Sequence, residues 1–180
     1  MRALVLSSGG VDSTTCLGMA VDKYGKENVV SLSVFYGQKH TKELEKTDGK
    51  PVSTYVPFRN GLFLATAASI ALSKKCDVIY YGAHADDAAG NAYPDCSEAF
   101  YNAMNTAVYE GSGRQLKIEA PLVTWNKATV VKKGLELKVP YELTWSCYEG
   151  GDKPCMKCGT CIDRMKAFEA NNVKDPVLGE

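Results

Sequence analysis

Short apolar runs alternate along this chain with stretches of helical spacing. Residues 2–6, Arg-Ala-Leu-Val-Leu, end in Ser7-Ser8-Gly9-Gly10, which predicts a buried strand running into a turn. Asp12-Ser13 then opens a helix to about residue 23, with Leu17 and Ala20-Val21 on one face. Residues 29–36 form a second apolar run, closed by Gly37, and 41–46 reads as a short helix. The stretch 47–57 holds two prolines and a glycine, so it reads as loop or edge strand. Residues 60–75 are alanine-rich with helical spacing, and Asn60 is the candidate N-cap. A third strand follows at 77–82, and Pro94 suits the first turn of a helix that reaches about residue 110. The spacing predicts a fourth strand at 116–119, a helix capped by Asn126 that runs to about 137, and a last helix over 160–170. Strand–helix alternation of this kind builds an α/β fold with a parallel sheet and helices on both faces. Such sheets bind ligands beyond the carboxyl ends of their strands.

Composition narrows the picture. The chain has 180 residues, of which 45% are hydrophobic and 23% charged, enough for one domain with a real core. No apolar run approaches the length of a membrane span, and the first six residues are too short a run for a signal peptide. Lysine plus arginine number 21 and aspartate plus glutamate 21, so charge favours neither a polyanion nor direct nucleic-acid binding. The seven cysteines are odd in number and follow no export signal, which points to a reducing cytoplasm rather than a disulfide framework.

Three stretches carry chemistry. Ser8-Gly9-Gly10-Val11-Asp12-Ser13 sits where the first strand meets the first helix. Two glycines let the backbone approach a ligand, the helix start offers free N–H groups, and the serines add hydroxyls. Together these suit a phosphate cradle, although the same residues would also serve as a plain strand-to-helix turn. It is not a Walker A loop, since no Gly-Lys-Ser/Thr follows. Cys147, Cys155, Cys158 and Cys161 have the spacing of a tetrahedral thiolate site, with Gly150-Gly151 letting the chain loop back. Zinc with a structural role is the first reading; an iron–sulfur cluster or four free thiols are the others. Tyr93-Pro94-Asp95-Cys96 places an aspartate near a helix start, where capping alone would explain it. His40 and His84 each follow a strand's end, a position that could reach a ligand or serve only as a surface or capping residue. Lys127 stands in the first turn of a helix, against the dipole, either as a solvated lysine or as the partner of a bound anion that would offset the cost.

These residues together resemble the 7-cyano-7-deazaguanine synthase family of the PP-loop ATP pyrophosphatase superfamily. The likeness runs through Ser8 to Ser13 and on through Thr14, Thr15, Cys16 and Leu17, then Tyr36-Gly37-Gln38-Lys39-His40, Val56-Pro57, Arg59-Asn60 and Tyr93-Pro94-Asp95-Cys96. It ends with Pro140-Tyr141-Glu142-Leu143-Thr144-Trp145-Ser146-Cys147-Tyr148 and the three further cysteines. The resemblance implies an adenine nucleotide α-hydrolase-like, Rossmann-like PP-loop domain over 1–146. A small zinc-binding segment over 147–180 would pack on that same domain. It implies conversion of 7-carboxy-7-deazaguanine and ammonia to the nitrile, at the expense of ATP with Mg2+, through an acyl-adenylate and an amide. A relative that stops at the amide, or that passes the activated carboxylate to another amine, would carry the same motifs, and another PP-loop tRNA-modifying enzyme is the more distant alternative. On this reading Ser7, Ser8, Gly9, Gly10, Val11, Asp12, Ser13, Thr14, Thr15, Cys16 and Leu17 hold ATP. Asp12, Lys39, His40 and Lys127 lie at the reacting centre. Arg59, Asn60, Tyr93, Asp95 and Cys96 hold the deazaguanine, and Zn2+ pins the last helix and Trp145-Ser146 beside the sheet. The family resemblance also implies a homodimer.

The chain departs from the family pattern twice. Phe35 stands where an aspartate is frequent. Only seven residues separate Glu45 from Ser53, where the family has a strand and a helix. A parallel strand needs a crossover of a dozen or more residues, so this stretch is expected to show either an interruption of the chain or a deleted edge strand.

Overall fold

The computed structural model describes residues 1–34, 56–149 and 153–178. The described strands are β1 (Ala3–Leu6), β2 (Val29–Leu32), β3 (Val78–Tyr80) and β4 (Lys117–Glu119). They form one parallel sheet in the order β2-β1-β3-β4. In register, Leu4 faces Val30 on one side and Ile79 on the other, and Ile79 faces Ile118.

The period-2 alternation of each strand decides which helix layer it feeds. Ala3, Val5, Val78 and Tyr80 pack under α1 (Val11–Tyr24). Leu4, Ile79 and Ile118 pack on the opposite face, under α2 (Arg59–Ser73), where Leu64, Ala67 and Ala71 are fully buried. A one-turn helix, α3 (Ala85–Ala88), follows β3, and α4 (Glu98–Gly111) joins α2's layer. The α1 layer is completed by α5 (Lys127–Glu136) through Val130 and Val131, and by α6 (Gly159–Glu169) through Ala167 and Phe168. Phe168 meets Tyr141 edge to face, ring centroids 5.3 Å apart. The helices therefore cover both faces of the sheet, as the alternation predicts.

Several local expectations change. β2 ends at Leu32, short of the predicted 36, and residues 35–36 with the short helix at 41–46 lie outside the described residues. Val56 and Pro57 join no strand. Asn60 is not an N-cap: α2 starts one residue earlier, after Phe58 in the left-handed region at φ 58°. Pro94 sits in a separate turn, Pro94–Cys96, because Ser97 takes the cap of α4 by accepting from the Phe100 N–H. Asn126 does cap α5, through the N–H of Thr129 at 2.9 Å. The short Glu45-to-Ser53 connection lies outside the described residues.

Candidate active site

The strand order places the site. β1 sends its chain outward to β2, while β3 lies on its other side, so the crevice between the carboxyl ends of β1 and β3 is the switch point of the sheet. The glycine loop opens there. Gly9 takes φ +80°, a conformation that glycine alone adopts at ease. Ser13 ties the loop to the helix: its hydroxyl accepts from the Ser8 N–H at 3.1 Å, lies 3.1 Å from the Ser8 hydroxyl and 3.2 Å from the Gly10 carbonyl. Ser8 and Gly9 are exposed, and Gly10, the N-cap of α1, makes no side-chain cap. The N–H groups at the start of α1 lack helical partners and are available to an anion. Beneath the loop, a Cβ on Gly82 would stand 3.0 Å from the main-chain carbon of Asp12, so the backbone after β3 can approach only as glycine. Further along α1 the side chains turn inward. Thr15 and Cys16 are fully buried, Thr15 bonded to the Tyr141 hydroxyl at 2.7 Å, and Leu17 packs on the same core.

Four charged or titratable groups, from α1, α5 and α3 with its N-cap, converge beside the loop. The Lys127 ammonium is 2.6 Å from both carboxylate oxygens of Asp12 and 3.5 Å from Nε2 of His84. Nε2 of His84 also lies 3.7 Å from Asp12 and 3.4 Å from Asp87. The odd placement of a lysine at a helix start is thus offset by Asp12, with Asp86 accepting the Lys127 N–H at 2.7 Å. Burial raises the Asp12 carboxyl, but Lys127 and His84 outweigh it and hold the group below the usual carboxylate range. Asp87 goes the other way, pushed up by burial that His84 only partly offsets. Of the readings its position offered, His84 takes the N-cap position of α3, without a side-chain cap bond, and is not a surface residue. It is buried, and its Nδ1 finds no hydrogen-bond partner among the described residues.

A second cluster lies against α2. Asp95 is buried and accepts the Asn60 N–H at 2.9 Å, so it serves the start of α2 rather than the helix that follows it in sequence. The Asn60 side chain donates to the Asp95 carbonyl at 3.1 Å and lies 3.3 Å from the Cys96 sulfur. Burial drives the Cys96 thiol well up, the Asp87 and Asp95 charges add to the rise, and the Arg59 charge opposes it. Tyr148 hydrogen-bonds Tyr93, and burial with that bond raises its hydroxyl; Asp87 and Arg59 act on it as charges. Asp87 therefore stands between the two clusters, its carbonyl accepting the Tyr93 N–H at 3.1 Å. Asp87 and Tyr148 are site residues that sequence reasoning passed over as candidates. Asp87 pairs with His84 one helical turn away but meets Asp12 and Lys127 only through the fold, and Tyr148 meets Tyr93 in the same way. Lys39 and His40 lie outside the described residues.

The four cysteines form the third feature. The Cys147, Cys155, Cys158 and Cys161 sulfurs lie within 4.8 Å of one another, with Cys155 and Cys161 4.0 Å apart. A tetrahedral zinc with Zn–S of about 2.3 Å spaces its sulfurs about 3.8 Å apart, so the donors fit such an ion with small movements. Burial raises the Cys158 thiol, and hydrogen bonds from the Thr160 hydroxyl and the N–H groups of Tyr148 and Cys161 outweigh it, bringing it down to about 6. The cluster is tied to the glycine loop through residues 144–147, where the Trp145 N–H donates to the Gly9 carbonyl at 3.0 Å.

The family model described as "Queuosine biosynthesis protein QueC" matches residues 2–50 and 45–172 of the chain. This chain belongs to the QueC family. Among its QueC relatives is the 7-cyano-7-deazaguanine synthase of Archaeoglobus fulgidus, 39% identical over 221 positions that take in 100% of this chain and 91% of the relative. The synthase of Caldicellulosiruptor bescii is 39% identical over 98% of this chain and 96% of its own length. That of Campylobacter jejuni is 34% identical over 98% and 97%. The Archaeoglobus alignment is longer than this 180-residue chain, so the relative carries residues with no counterpart here. The two QueC matches meet at residues 45–50, in the stretch where the chain departs from the family pattern. No helix among the described residues is long and apolar enough to cross a membrane.

Proposed function

We propose that this protein converts 7-carboxy-7-deazaguanine and ammonia to 7-cyano-7-deazaguanine with two ATP molecules, in the pathway that gives the family its queuosine name. The observation that carries the reading is the meeting, at one end of the sheet, of the glycine loop, the Tyr93 to Cys96 turn and the 144–148 strap. The near full-length likeness to three synthases gives that meeting its chemistry.

In the first half-reaction a carboxylate oxygen of the substrate attacks the α-phosphate of ATP, and the bond to the β-phosphate breaks to release pyrophosphate. Ammonia then attacks the acyl carbon, loses a proton, and AMP leaves, giving the amide. A second adenylation, on the amide oxygen, lets the nitrogen lose its protons as AMP departs and the nitrile forms. No protein nucleophile is needed, so positioning and charge stabilisation supply the rate. Residues Ser8 to Ser13 would take the pyrophosphate end on N–H and hydroxyl groups. Lys127 would exchange its bond to Asp12 for a phosphate oxygen. Asp87, whose carboxyl is raised by burial, would accept the proton that the attacking ammonia sheds. Arg59, Asn60, Tyr93, Asp95 and Cys96 would hold the deazaguanine, with Tyr148 against Tyr93.

Mg2+ would travel with the phosphates, with Asp12 or Asp87 offering a carboxylate once Lys127 has moved. Cys147, Cys155, Cys158 and Cys161 would hold Zn2+, which with four thiolates would act as a closed structural knot. The odd number of cysteines, four of them gathered in one cluster, suits a reducing cytoplasm. Mass spectrometry of the product formed from 7-carboxy-7-deazaguanine, ATP and ammonia tests the proposal. The nitrile is expected with two AMP per turnover; an amide end product with one AMP would place the protein with the relatives that stop there.

A further inference from the structure

The glycine loop is anchored from outside its own sequence neighbourhood. The Gly9 carbonyl and the Gly10 N–H belong to one planar trans peptide, so they point to opposite sides of it. With the carbonyl held toward the Trp145 N–H at 3.0 Å, the Gly10 N–H is aimed the other way, where it leans on the Ser8 hydroxyl at 3.4 Å beside Ser13. If this peptide reversed, a carbonyl oxygen would face the anion seat in place of a donor. Glycine at φ +80° has little intrinsic barrier against such a reversal, so a fixed partner has to decide it.

The partner is itself fixed by the cysteine segment. Arg164 of α6 donates to the Thr144 carbonyl at 3.3 Å and hydroxyl at 2.8 Å, on one side of Trp145, and to the Ser146 hydroxyl at 3.4 Å on the other. The Thr160 hydroxyl holds the Ser146 carbonyl at 2.7 Å, and the Trp145 indole N–H holds the Cys147 carbonyl at 3.0 Å. Cys161 lies in α6 and Cys158 just before it, so the start of that helix and the end of the strap share one sulfur cluster.

We propose that the main-chain N–H of Trp145 is a positioning group for nucleotide binding, and that closure of the four cysteines on a metal and binding of ATP at the glycine loop are thermodynamically coupled through it. This rests on the reading that the loop takes the phosphates of ATP. Coupling of this kind is reciprocal: whatever factor the metal adds to ATP affinity, ATP adds to metal affinity.

Two variants separate the main chain from the ring. Trp145→Ala keeps the N–H, and Trp145→Pro removes it. Calorimetric titration of each full-length, zinc-loaded protein with Mg-ATP should show the proline variant binding about tenfold more weakly than the alanine variant, the scale expected when one hydrogen bond is lost. Equal affinities in two variants that each hold one zinc would overturn the proposal. The second arm uses the unaltered protein and measures zinc affinity against a competing chelator, with and without saturating Mg-ATP. Tighter zinc binding with nucleotide is expected. Zinc affinity that ignores nucleotide overturns the proposal even if the proline variant does not fold. Wild-type protein that binds no Mg-ATP would overturn the nucleotide reading and this inference with it, whereas wild-type binding without the two differences removes only this inference.

Discussion

Asp175→Ala is a demanding test of the packing around the strap. Arg164 and Asp175 form a doubly hydrogen-bonded pair, Nε to Oδ2 at 2.6 Å and Nη2 to Oδ1 at 2.9 Å, with side chains only 4% and 3% exposed. Two unit charges about 4 Å apart attract by about 4 kcal/mol at an effective dielectric near 20. Removing one member of a buried pair typically costs about 3–5 kcal/mol, because the other charge is left uncompensated. Here the guanidinium keeps neutral acceptors, the Tyr141 carbonyl at 3.0 Å and the Thr144 hydroxyl at 2.8 Å among them. The loss should therefore fall toward the lower end, about 3 kcal/mol, a large share of the roughly 5–15 kcal/mol that holds a domain folded. Urea unfolding of the zinc-saturated protein, followed by the fluorescence of Trp125 and Trp145, reads the change as a shift in midpoint at constant slope. The double variant Arg164→Met with Asp175→Leu should recover much of the loss, since apolar residues replace a buried pair at little cost. A loss under about 1 kcal/mol for Asp175→Ala, or a double variant worse than the sum of the singles, would show that the pair is not desolvated and would refute the reasoning.

Lys127→Met should lower turnover by about a hundredfold or more, as loss of one electrostatic donor at a phosphoryl centre does, with the fold intact by circular dichroism. Tyr148→Phe should raise the KM for the deazapurine about fivefold and leave that for ATP alone, the scale of one neutral hydrogen bond; equal shifts in both would remove Tyr148 from the substrate side. Asp12, with its carboxyl held low, contributes stability above the ordinary carboxylate value of 3.8 and loses it as pH falls through the depressed value. The destabilisation caused by Asp12→Asn should thus be full at neutral pH and shrink in acid, and a penalty unchanged down to about pH 2 would contradict the ion pair with Lys127. Zinc affinity should fall as protons compete for the sulfurs, with Cys158 remaining a thiolate down to about 6, which cobalt substitution would follow by its charge-transfer absorbance.

Local order in this protein is readable from local sequence. The apolar runs at β1, β3 and β4, the glycine loop before α1, the Asn126 cap and the four-cysteine spacing all depend on residues within a few positions of one another. Periodicity and capping act over that range, so the alternation of strand and helix could be read before any contact was known. What the tertiary structure alone decided lies at longer range. Asp95 reads as a cap for the helix after it, yet it serves α2, whose Asn60 lies 35 positions earlier. Lys127 reads as a solvated lysine or an anion's partner, yet it reaches Asp12 across 115 positions. His84 reads as a ligand-reaching, surface or capping residue, and only the fold buries it between Asp12, Asp87 and Lys127. These partnerships follow from the strand order β2-β1-β3-β4, which brings the ends of β1 and β3 side by side and folds the cysteine segment back over Gly9. Side-chain chemistry specifies what a residue can bond, but only the packing of whole elements sets which partner stands within 3 Å of it.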